Sequence, residues 1–118
     1  MNKLIVALAL GAATLSGQVL ASGNAANGAA LLNNKDSTCT SCHGTDYKTP
    51  LDPSYPKLAG QHADYLAHAL KAYKRGTKAA NGRDNPIMAL QVQKLSDRDI
   101  ADIAAYLASL PGPLVTKR

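Results

Sequence analysis

The chain has 118 residues, with 13 lysines and arginines against 8 acidic residues and a formal charge of +5. That excess is mild, and five tyrosines with no Trp or Phe make no base-stacking cluster, so the composition excludes a nucleic-acid binder and admits an acidic protein partner. A core of Ala, Leu, Ile and a few Tyr is thin for a small domain, and such domains lean on disulfides, a metal or a bulky cofactor.

The N-terminus reads MNKLIVALALGAATLSGQVLASG. Lys3 supplies a positive start, Leu4 to Leu15 form an apolar run broken only by Gly11 and Thr14, and Val19-Leu20-Ala21 fits a signal-peptidase site. The run is too short to span a membrane. Residues 1–21 are therefore expected to be a cleaved signal peptide, and 22–118 one exported domain of 97 residues, located in a bacterial periplasm, with no membrane span after cleavage.

Asn24 to about Lys35 is Ala-rich and helical, with Gly28 and Leu32 on one face. A short helical turn fits Cys39–His43. Gly44 to Gly60 holds three prolines and reads as a long loop wrapped round something. A second helix spans Gln61 to Arg75, with Leu66, Ala69, Leu70 and Tyr73 on its apolar side and Gly76 just past its basic end. Residues 76–86 form a flexible loop, and another helical turn fits Pro86–Lys94. The last helix opens with Ser96-Asp97-Arg98-Asp99, which resembles a capping box with Asp in place of Glu. Its apolar face is Ile100, Ile103, Ala104, Leu107 and Leu110, and Pro111-Gly112-Pro113 ends it. No alternating strand is evident. The fold class is all-α.

The only two cysteines stand in Cys39-Thr40-Ser41-Cys42-His43. A disulfide across that spacing closes too small a loop to stabilise much. A thioredoxin-like redox pair wants a βαβ setting, which is missing. A zinc site would need His62 or His68 as fourth ligand, and adjacent Cys42 and His43 do not match zinc-finger spacing. Cys-x-x-Cys-His is the haem-attachment pattern: one helical turn presents two thiols to the two vinyl groups, and the next residue brings an imidazole to the iron. Export fits such attachment. For the sixth iron position the mature chain offers its one methionine, Met88, beyond the flexible loop. Met/His ligation closes both axial sites and suits electron transfer. His62 and His68 are the rival ligands, and the preferred reading leaves them on the surface.

These pieces, with Tyr55-Pro56-Lys57-Leu58-Ala59-Gly60-Gln61, Tyr65-Leu66 and Leu95-Ser96-Asp97 before Ile100–Leu107, span nearly the whole mature chain. In that order they resemble the class I c-type cytochromes, in particular the small monohaem carriers of bacterial periplasms, and one half of the dihaem periplasmic type. The resemblance implies a small class I cytochrome c fold: three main helices plus short helical turns around one covalent haem c. Cys39 and Cys42 would carry the thioethers, with His43 and Met88 as axial ligands. Pro56 would accept the second ring N–H of His43. Leu58, Leu66, Leu70 and Ile87 would pack on the haem, and Tyr65 or Gln61 would reach a propionate. Gly28 would let the first helix cross the last against Tyr106. The chain departs from relatives in having no Phe or Trp, so Tyr must do the aromatic packing.

The expected function is single-electron transfer in the periplasm, without catalysis. Redox donor and acceptor proteins would dock briefly and salt-sensitively, an acidic partner surface meeting the basic cluster Lys71, Lys74, Arg75, Lys78 and Arg83. Two alternatives stand beside it: a haem protein with an open distal site that binds small ligands or reduces peroxide, and a fixed haem subunit of a larger oxidoreductase.

Overall fold

The computed structural model describes residues 22–113; the signal peptide expected over 1–21 and the segment 114–118 lie outside the described residues. The elements in order are α1 (Ala25–Leu32), α2 (Cys39–His43), α3 (Ala63–Arg75), a 3₁₀ turn (Gly76–Lys78), α4 (Pro86–Val92) and α5 (Asp97–Ser109). No strand occurs among the described residues.

Helix α1 stops earlier than its composition suggests. The Asn34 side chain accepts from the Asp36 N–H at 3.1 Å and its carbonyl from the Ser37 N–H at 2.8 Å, so an asparagine turn outcompetes another helical turn. The buried face of α1 is Gly28 and Leu32, as the pattern predicts. Its main contact is with α5, the most extensive helix pair in the fold. A β-carbon at Gly28 would overlap the Asp102 carbonyl group. The glycine is required, yet its nearest neighbours are the main chain of Asp102 and Ile103, not the Tyr106 ring.

Beside that crossing lies Asp102, 1 % exposed. Its carboxylate accepts from the Asn24 N–H and from the Asn27 side-chain amide, both at 2.6 Å, and pairs with Arg98 at 3.1 Å. The Asn24 bond first, then that of Asn27, holds the carboxyl below the usual aspartate range.

Helix α3 begins at Ala63, two residues after the expected Gln61, and ends at Gly76 with φ +58°. It packs on α5 and α4, and Lys74 Nζ donates to the Leu95 carbonyl just ahead of α5. At the start of α5 the Ser96 hydroxyl accepts from the Asp99 N–H at 3.1 Å, and the Asp99 carboxylate accepts from the Ser96 N–H at 2.8 Å. Aspartate thus closes the capping box in place of the longer acid. The helices share a core of Leu32, Tyr47, Ala59, Leu66, Ile103, Ala104 and Leu107.

Candidate functional site

Helix α2 is a single turn, with both thiols free and half-buried. Gly44 ends it at φ +87°, where a β-carbon would overlap the Thr49 carbonyl. The chain therefore turns sharply behind His43 and runs out into the long loop. Asp46 folds the first part of that loop by accepting from the N–H groups of Lys48 (3.0 Å) and Thr49 (2.8 Å), bonds that depress its own carboxyl. Tyr47 adopts φ +56°, and its carbonyl accepts from the N–H groups of Leu58 (2.8 Å) and Ala59 (3.0 Å). Gly60 then donates to the Leu107 carbonyl of α5 at 2.9 Å.

These bonds bring Pro56 back over α2. Its carbonyl oxygen lies 2.8 Å from His43 Nδ1, and His43 is buried at 7 % exposure with the Tyr55 ring tilted 6.4 Å away. With Nδ1 donating to a carbonyl, the imidazole presents Nε2 as its lone-pair nitrogen. Nε2 has no hydrogen-bond partner among the described residues.

Met88 is half-buried at the third position of α4. Asn85 caps that helix by accepting from the Met88 N–H at 3.0 Å, and Pro86 occupies the first turn. Leu66 lies in the core, Leu58 and Leu70 pack against it half-buried, and Ile87 is 59 % exposed. His62 and His68 are both exposed. Tyr65 takes a hydrogen bond from Arg83, and Gln61 from the His62 N–H.

No three or more His, Cys, Asp or Glu side chains converge as a metal-ion cluster among the described residues. One imidazole and two thiols share the single turn of α2, and one thioether stands on α4; these are the residue types that a covalent haem uses. A second observation fits a large bound group. The Tyr47 hydroxyl is buried beside Cys39 with no partner among the described residues, and burial pushes its pKa up to about 12. A sequence reading had no access to this group, because Tyr47 appears as one more loop tyrosine.

The cytochrome c family model matches residues 25–111. The chain belongs to the cytochrome c family. It is 48 % identical over 84 residues to cytochrome c-554(548) of Halomonas halodenitrificans, a match covering 71 % of this chain and 98 % of that one. To cytochrome c4 of Pseudomonas aeruginosa it is 43 % identical over 112 residues, covering 92 % of this chain and 49 % of the relative. The crystal structure of reduced cytochrome c4 from Pseudomonas stutzeri superposes with a TM-score of 0.67 at 35 % identity, over 78 % of this chain and 48 % of that one. This cytochrome thus spans about half the length of the c4 proteins it matches. It has the class I cytochrome fold, carries haem c and is an electron carrier.

The basic cluster is less open than its sequence suggests. Lys74 is spent on the Leu95 carbonyl, Lys71 lies 3.9 Å from Asp97, Arg75 donates to the Asn81 carbonyl at 3.2 Å, and Arg83 stacks on tyrosines. Among the described residues no helix is long and apolar enough to cross a membrane.

Proposed function

We propose that this cytochrome is a periplasmic shuttle in which Cys39 and Cys42 would hold haem covalently and His43 and Met88 would ligate its iron. The observation that carries the reading is the His43–Pro56 hydrogen bond, which leaves Nε2 to ligate from the turn that bears both thiols. When bound, the haem iron supplies a one-electron couple.

The protein side of the mechanism is to hold the surroundings fixed. Pro56 fixes the plane of His43, and the Asn85 cap fixes the backbone of Met88. Leu58, Leu66 and Leu70 supply apolar cover, which disfavours extra positive charge and raises the potential. Ile87, on the exposed side of α4 next to Met88, would pack on the haem from its solvent edge. Redox partners would meet the protein transiently. Lys74, Arg75 and Arg83 meet only carbonyls and aromatic rings and keep their charge, so they and the net positive charge would together make docking salt-sensitive.

The test is the optical spectrum of the exported protein, oxidised and reduced. Covalently held low-spin haem is expected, with a weak far-red iron–thioether band that Met88→Ala abolishes. Rapid carbon monoxide binding by the unmodified protein would instead mean an open sixth position.

A further inference from the structure

Arg83 lies in the segment that leads into α4, two residues before the cap Asn85 and five before Met88. Its guanidinium carbon sits 5.7 Å from the Tyr65 ring centroid and 5.4 Å from that of Tyr73, two turns further along α3. Nη2 donates to the Tyr65 hydroxyl at 3.4 Å, and the Arg83 backbone N–H donates to the Ala72 carbonyl at 3.0 Å. One residue thus grips α3 at three points.

The rest of the segment has little other hold. Gly82 donates to the Ala79 carbonyl at 2.9 Å, and Arg75 reaches the Asn81 carbonyl at 3.2 Å. Beyond Arg83, residues 84–87 are exposed until Met88 turns back toward the interior. No acidic side chain pairs with Arg83 among the described residues. An arginine meant for a partner would stand in solvent or beside a carboxylate. This one is spread over two aromatic faces, where a planar cation binds best.

We infer that Arg83 is a positioning residue for Met88. By clamping the segment ahead of α4 onto Tyr65 and Tyr73, it sets where α4 begins and so holds the Met88 thioether against displacement from the sixth position. The inference rests on Met88 being that ligand.

The test uses the haem-loaded protein and its Arg83→Leu, Arg83→Lys, Tyr73→Leu and Lys78→Leu variants. Imidazole is titrated as a competing axial ligand, and the far-red band is followed. Loss of the clamp should raise imidazole affinity about tenfold in Arg83→Leu. Arg83→Lys should restore part of the difference, because the charge stays and the planar stacking goes. Arg83→Leu combined with Tyr73→Leu should add little to either alone, since both break one interaction. Lys78→Leu removes a neighbouring cation outside the clamp and should change nothing. The inference is overturned if Arg83→Leu stays within about twofold of the unmodified protein, or if Lys78→Leu matches it. If the unmodified protein shows no far-red band, the Met88 assignment falls first and takes the clamp with it.

Discussion

His43 Nδ1 and the carbonyl oxygen of Pro56 stand 2.8 Å apart. The acceptor is main chain, so no side-chain replacement can delete it; only a shift of the loop can. Pro56→Ala, which keeps the backbone close to its course, should leave the reduction potential nearly unchanged. Pro56→Gly frees the backbone, weakens the bond and makes His43 a poorer donor to iron, which raises the potential. Voltammetry of the two variants separates them. Equal potentials would mean that the Leu58 and Ala59 bonds to Tyr47 hold the carbonyl without the proline ring.

Asn85→Ala removes the acceptor for the Met88 N–H. The loss of such a cap costs about 1 kcal/mol. Hydrogen exchange at the Met88 amide should therefore speed up roughly fivefold, while amides in the middle of α5 keep their rates. A uniform acceleration across both helices would show global destabilisation instead.

Gly28→Val places a branched side chain where the α5 main chain already sits. The two helices must separate, at a cost of roughly 3 kcal/mol or more. A chemical unfolding midpoint that falls sharply is the expected result, and an unchanged midpoint would mean that α1 is not packed on α5 in solution.

Asp102 makes stability depend on acid. Its folded carboxyl titrates below the ordinary range, so its contribution is present above about pH 4 and is lost as the pH falls through the lowered value. Asn27→Ala removes the donor that α1 itself supplies and leaves that of its cap, Asn24. Urea unfolding across the acid range should then show a shallower loss in the variant than in the unmodified protein. Parallel curves would place the acid sensitivity elsewhere.

What the sequence disclosed was local. The Cys39–His43 turn, the Ser96–Asp99 box, and Gly76 as a helix stop each depend on residues within a few positions, and each was legible. Met88 was reached by elimination, as the one methionine of the mature chain, whereas Pro56 needed a family pattern, because nothing local marks one proline among three. Asp102 was invisible for a different reason. On a helix face it looks like any solvated acid, and its donors lie 75 and 78 positions away. The local contacts of the basic cluster were hidden for the same reason, since charge density says nothing about which carbonyls and rings those cations meet. Gly28 was read correctly as a close approach, but the pattern could not choose between a ring and a carbonyl as its neighbour.

The pairing of α1 with α5 also orders events in time. Eight residues near the start of the described chain must wait for thirteen near its end before either helix has its main surface to lie on. Closing so long an interval is slow compared with forming either helix. Once it closes, the Asn24, Asn27 and Asp102 bonds draw the two ends together across it. The two ends of the described chain thus hold each other across the turn that bears both thiols, so a change at either end reaches that turn through its partner helix.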